Sequence, residues 1–170
     1  MLWCEICVSL GFYGEEAMSD PAIRTYLAQH AFFSGLSEKH LELLGSCASS
    51  MRFSPQSRVF KYDTVADKFY VLREGKVGVE IPAISGEPLR IQTVGNGGLL
   101  GWSWLIPPYR WLFDARALVT SDIIVMDGAR LRDECEKDNV LGYQLMKRFA
   151  VLMAERLNAS RQAAISQHNG

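Results

Sequence analysis

The sequence predicts a mainly β domain with flanking helices: an antiparallel β-roll (a double-stranded β-helix or jelly roll) with N-terminal helices and a long C-terminal helix. Three observations carry this expectation. Between Arg58 and Asp127, short runs alternate apolar and polar residues, and turn signals such as Glu74-Gly75 and Ser85-Gly86-Glu87 separate them. Before these runs, helix-capping residues precede apolar-periodic stretches. After them, apolar residues recur at spacings of three and four for several turns.

Residues 1–17 differ in character from the rest of the chain, and Met18 introduces SDPAIRTYLAQHAFFSGLSEKHLELL. The expected organisation is therefore an N-terminal extension over 1–17, foreign to the native domain, and one domain over 18–170. Ser19 or Asp20 can cap a helix and Pro21 suits its first turn, so Ala22–Ala31 reads as the first helix. Phe33-Ser-Gly-Leu36 reads as a turn. Ser37 caps a second helix, with Glu38 early in it and Leu41, Leu43 and Leu44 on its apolar face.

The strands come next. Arg58–Tyr62, Lys68–Arg73, Lys76–Ile81, Leu89–Val94, Asp114–Val119 and Ile123–Asp127 read as short strands joined by tight turns. Ala129–Glu136 is a short helix. A long one runs from Asp138 or Asn139 to about Ile165, with Met146, Phe149, Met153, Leu157, Ser160 and Ala164 in one stripe and Leu145 and Leu152 widening it. That stripe either packs on the roll alone or also pairs with a partner helix in a homodimer.

The totals narrow the function classes. The chain has 170 residues, enough for one domain with a sizeable core. A formal net charge of −1 argues against a strongly basic nucleic-acid surface. Lys or Arg interrupts every long apolar stretch, and acidic Glu5 with no basic n-region argues against a secretory signal, so a cytoplasmic, non-membrane protein is expected. Cys4 and Cys7 form the CxxC pair, without two further zinc ligands at suitable spacing; with Cys47 and Cys135 they read as incidental thiols. His30, His40 and His168 lie far from the strand region's central loop, and no nucleophile elbow, HExxH or P-loop occurs, so no enzyme is expected.

Helices, roll and long helix in this order resemble the cyclic-nucleotide-binding domain of the catabolite-activator and FNR superfamily. Phe33-Ser-Gly-Leu-Ser is similar to the family's opening turn, Phe69-Tyr-Val-Leu-Arg-Glu-Gly-Lys-Val to its strand–turn–strand, Gly101 to its cassette glycine, and Ala115-Arg-Ala117 to the strand after the cassette. The resemblance covers about Ala22 to Ala164. It implies a phosphate-binding cassette over Gly97–Leu118, in which a glutamate holds the ribose hydroxyl. An arginine pairs with the cyclic phosphate, and a short helix offers backbone N–H groups.

This cassette departs from that pattern. Trp102 follows Gly101 in place of glutamate, and Trp111-Leu112-Phe113 stand where the arginine motif would fall. Tyr62 replaces a further turn glycine. A buried phosphate without a cationic partner is costly. The candidate ligand-binding residues are Leu100, Gly101, Trp102, Ser103, Trp104, Arg110, Trp111 and Phe113. Trp102, Trp104, Tyr109, Trp111 and Phe113 either fill the vacated pocket or line a cavity for an apolar, aromatic or cofactor ligand. Arg110, one position early, is either a register-shifted phosphate contact or solvated. Asp114 is a strand-end polar residue or a partner for Arg110 or Arg116, and alternation points Arg116 away from Ala115 and Ala117.

The expected function is a non-enzymatic sensory or regulatory binding module with a Trp-rich pocket that does not bind cyclic AMP in the usual way. A genuine cyclic-nucleotide regulator and a ligand-free dimerising interaction domain are the alternatives. No cofactor is demanded; a cyclic nucleotide or another small ligand is the candidate occupant, and His30, Cys47 or a methionine would be needed for haem. The expected partners are a small-molecule ligand or a protein, with a possible homodimer through the C-terminal helix. No helix-turn-helix unit follows that helix, so direct DNA binding is not expected.

Overall fold

The computed structural model describes residues 20–168 apart from Ile84, and the side chains of Ala163, Ala164, Gln167 and His168 are also left undescribed. The 1–17 extension, the boundary at Met18, the Cys4–Cys7 pair and the side chains of Ala164 and His168 lie outside the described residues. The elements are α1 (Pro21–Gln29), a 3-10 turn (Ala31–Phe33), α2 (Glu38–Ser46), β1 (Ala48–Phe53), β2 (Arg58–Phe60), β3 (Lys68–Glu74), β4 (Val77–Ile81), β5 (Leu89–Val94), β6 (Leu99–Leu100), β7 (Asp114–Ala117), β8 (Ser121–Asp127), α3 (Gly128–Lys137) and α4 (Asn139–His168).

Capping residues start the helices as their chemistry requires. Asp20 accepts from the Ala22 N–H, Ser37 from His40 and Asp127 from Arg130. Asp138 does the same for α4, accepting the Val140 and Leu141 N–H groups at 3.1 Å each. The first helix is shorter than expected because the His30 ring caps the following 3-10 turn, accepting the Phe32 N–H through Nδ1. With Nδ1 accepting, Nε2 carries the proton and donates to the Gly97 carbonyl at 2.8 Å. His30 is thus a structural clamp with both nitrogens engaged.

The strands form two four-stranded antiparallel sheets, in the orders β1-β8-β3-β6 and β2-β7-β4-β5. One face of the first sheet meets the second sheet. Tyr70, Leu72, Leu100, Ile123 and Val125 from the first share a core with Phe60, Val77, Val79 and Ala115 from the second. The other face of the first sheet, through Phe69, Val71, Ile124 and Met126, packs on the helices through Ile23, Leu27, Leu44, Leu131, Leu141, Leu145 and Phe149. Burial on both faces explains why Phe69–Leu72 and Ile123–Met126 are continuously apolar, whereas β5 in the second sheet is largely exposed. Gly75 has φ +118°, and a Cβ there would lie 2.3 Å from Ser121 Oγ, so the β3–β4 turn needs glycine at this position.

The stripe expected along α4 is corrected. The packed face is Leu141, Leu145 and Phe149, with Leu152 and Met153 partly buried beside them. Met146 and Leu157 lie outside it, exposed at 46% and 72%, because a helix buries only the stripe that faces its packing partners. No helix among the described residues is long and apolar enough to cross a membrane.

Candidate functional site

The cassette enters from β5 through a glycine turn. Gly97 donates to the Leu72 carbonyl at 2.7 Å, and Leu72 donates back to Gly98 at 2.8 Å, which sets β6 against β3. Beyond β6 the chain makes turns and no helix: Leu105 donates to the Trp102 carbonyl and Ile106 to Ser103. The short anion-binding helix that the resemblance implied is therefore absent, and the Leu105 and Ile106 N–H groups are engaged within the turns. Pro107-Pro108 carries a cis peptide bond. The returning limb is clamped to the β2–β3 loop, with Ala66 donating to Tyr109, Trp111 to Thr64 and Asp63 to Trp111 at 2.8–3.0 Å.

Trp111 turns inward between the sheets. Its indole stacks on Phe60 at 4.1 Å between centroids and lies 6.0 Å from Tyr70. Gly101, with φ +78°, permits this approach, since a Cβ there would sit 2.7 Å from two Trp111 ring carbons. Desolvation in this core raises the Tyr70 phenol pKa strongly. Leu100, Gly101, Trp102, Ser103, Trp111 and Phe113 come together around a cavity of about 20 Å³, with Phe60, Val79, Leu112 and Arg156 completing its wall. That volume is the scale of about one water molecule.

Two expected site residues stand elsewhere. Trp104 belongs to the helical side of the first sheet, fully buried against Phe69 and Phe149 at centroid distances of 6.1 and 6.0 Å. Arg110 does not line this cavity; its Nε meets Asp63 Oδ1 at 2.6 Å, and this pair pulls the Asp63 pKa down and the Arg110 pKa up. Of the two readings of Asp114 the strand-end polar one holds: it opens β7, and its Oδ1 accepts the Tyr62 N–H at 2.6 Å rather than pairing with Arg110 or Arg116. Arg116 does point away from buried Ala115 and Ala117. It reaches Glu80, 3.6 Å away, and donates to the Gln56 carbonyl. The aromatic rings thus do not collapse on one another, and of the five only Trp102, Trp111 and Phe113 line the small cavity. They divide between two cores, and Tyr109 instead lies under the Arg132 guanidinium, 4.2 Å from its centroid.

Sequence reasoning missed Arg156 of α4. Its guanidinium lies 4.6 Å over the Trp102 ring, donates to the Leu99 carbonyl and borders the cassette cavity. Burial lowers its pKa to about 10. The available signal was a cation three and four residues beyond Met153 and Leu152, on the apolar side of a helix. On its other side Arg156 borders a groove of about 1040 Å³ between α4, the 3-10 turn and Gly97–Leu99.

Comparison with known proteins agrees with this architecture. The cyclic nucleotide-binding domain family matches residues 50–138. A putative cyclic nucleotide-binding protein from Geobacter metallireducens GS-15 is 29% identical, with a TM-score of 0.73 over 79% of this chain and 97% of that one. A cyclic nucleotide-binding domain from Methylobacillus flagellatus KT is 17% identical, with a TM-score of 0.71 over 85% and 82%. The regulatory subunit of a cAMP-independent protein kinase A from Trypanosoma cruzi, bound to guanosine, is 20% identical, with a TM-score of 0.57 over 79% of this chain and 50% of that one. No curated protein matches the chain. With the matched residues spanning both sheets, the chain belongs to the cyclic nucleotide-binding domain family.

Proposed function

We propose that this domain is a ligand-responsive regulatory module, a closed β-roll whose output is the pose of α4 and whose cassette does not hold a cyclic phosphate in the family's usual way. The observation that carries this reading is Trp111. It occupies the space between the sheets at the position where the resemblance expects an arginine, leaving about 20 Å³. A cyclic nucleotide would need that space, a cation facing it from the cassette and free N–H donors. Arg110 faces Asp63 instead, and the N–H groups of Leu105 and Ile106 are committed. The guanosine of the Trypanosoma cruzi structure contains no phosphate, which supports ligands of other chemistry on this fold. Ligand or partner binding beside α4 would bias its position against the sheet and so transmit a signal.

Calorimetry with cyclic AMP and cyclic GMP tests the reading. The expected outcome is no saturable heat with either nucleotide. Tight binding that disappears in Arg110→Ala would overturn it in favour of a genuine cyclic-nucleotide regulator with a shifted register.

A further inference from the structure

We propose that the groove between α4 and the turn before β6 binds a small amphipathic monoanion, one acid group on an apolar body, with Arg156 as its cation. The inference rests on the reading of the chain as a ligand-responsive module and places the ligand outside the sheets. The groove has a volume of about 1040 Å³, at the upper end of ordinary small-molecule sites of roughly 300–1,000 Å³. Its apolar wall is Phe32, Leu99, Val140, Tyr143, Val151 and Leu152. Val140, Tyr143 and Val151 are exposed along it at 53–70%.

The charge in the groove is unbalanced. Lys147, Arg148 and Arg156 line it against Glu155. None of these cations makes an ion pair among the described residues. Arg148 donates to the Phe32 carbonyl at 2.9 Å, and Arg156 to the Leu99 carbonyl. A neutral carbonyl leaves the charge uncompensated. A half-buried guanidinium backed by an indole and lacking a carboxylate is a poor structural element and a good anion receptor. Gln144 lines the same groove, and its Oε1 is buried without a donor. Arg156, the groove cation stacked on an indole, marks where the acid group sits, and the apolar wall selects the body attached to it. Because Arg156 also touches Trp102 and borders the cassette cavity, an acid bound there would act on α4 and the cassette together.

The test uses 8-anilino-1-naphthalenesulfonate fluorescence on the full chain, with decanoate and 1-decanol as competitors. Decanoate is expected to displace the probe at a concentration at least about tenfold lower than decanol, since the two share an apolar body and differ in charge. Arg156→Met and Val151→Glu are each expected to weaken probe binding by at least about tenfold, the second with wild-type circular dichroism and melting because Val151 is exposed. Equal displacement by acid and alcohol, or unchanged affinity in both variants, would overturn the assignment. So would a dimer by light scattering whose groove admits the probe only after dilution, which would give the groove to a second copy. Cyclic-nucleotide binding in the calorimeter would sink the proposed function of the cassette without touching this result, so the two failures are distinguishable.

Discussion

Trp111 and Trp104 leave the same loop and are both buried, yet they serve opposite faces of the β1-β8-β3-β6 sheet. Trp111 stacks between the sheets on Phe60; Trp104 is wedged under the helices against Phe69 and Phe149, with Gly128 so close that a Cβ there would lie 2.9 Å from it. The space beside the first tryptophan is about 20 Å³, whereas the space along α4 on the helical side is about 1040 Å³. The aromatic cassette has therefore filled the inter-sheet space and left the open surface, with cations that make no ion pair among the described residues, to the helix. Ligand response in this chain is best sought where charge and volume remain unfilled, because sealed apolar cores resist further occupants.

Breaking either side should show whether the two cores are separate. Trp104→Ala is expected to cost about 3–5 kcal/mol in urea unfolding, through lost burial and a cavity the two-sided packing cannot collapse. Trp111→Ala should cost somewhat less, about 3 kcal/mol, because its cavity opens at the cassette edge. The double variant should be additive within about 0.5 kcal/mol; a larger coupling would mean that the two rings act as one unit.

A smaller change sharpens the helical side. Leu157 is 72% exposed beyond the packed part of α4, so Leu157→Glu should leave the melting of an isolated domain nearly unchanged, within about 0.5 kcal/mol. If copies pair through this helix, the same change should lower the mass in light scattering. Met153 is unsuitable for this purpose because it packs partly into the core.

The smallest expected effect concerns the junction of α2 and α4. Asp138 is held below the ordinary carboxylate pKa first by the Leu141 N–H and then by His40, whose Nε2 lies 3.2 Å away. A depressed carboxylate pKa contributes stability that is present above the unfolded value of 3.8 and lost as pH falls through the lower folded value. Asp138→Asn keeps a carbonyl acceptor for the cap and removes the charge. It should flatten the acid limb of the urea midpoint below about pH 4, with no change in slope near neutrality.

Much of the fold was legible because its determinants are local. The cap at Ser37 and those at Asp20 and Asp138, each read as one of two choices, follow from hydrogen bonding within a few residues; β3 and β8 were placed as strands, but the alternation expected of them is replaced by continuous burial because both faces are covered. β1 was missed because most of its residues are exposed, so it carries no alternation; it is held by pairing with β8. β6 was missed because two residues have no period, and β3 and the Gly97-Gly98 turn define it.

At the site, the loss of the acid and arginine at Trp102 and Trp111 could be read directly, since it concerns residue identity. Which aromatic would enter which core could not, because Trp104 and Trp111 are chemically alike and only the fold of the loop between them selects their neighbours. The alternatives left open for Arg110 and Asp114 could not be decided from the sequence for the same reason: their partners, Asp63 and the Tyr62 N–H, lie on a distant loop that pairs across the returning limb. Arg156 lies more than fifty residues beyond the cassette ring it covers.

By itself the sequence determined the class of the domain, most element positions and the absence of the two usual polar anchors, because these depend on periodicity, capping and residue type. Only the tertiary structure decided that Trp111 fills the inter-sheet space, that Arg110 is tied to Asp63 and that α4 sets Arg156, without an ion pair among the described residues, beside an open groove. Those outcomes depend on contacts between residues far apart in the chain, which become determinate only when the sheets and the last helix have packed.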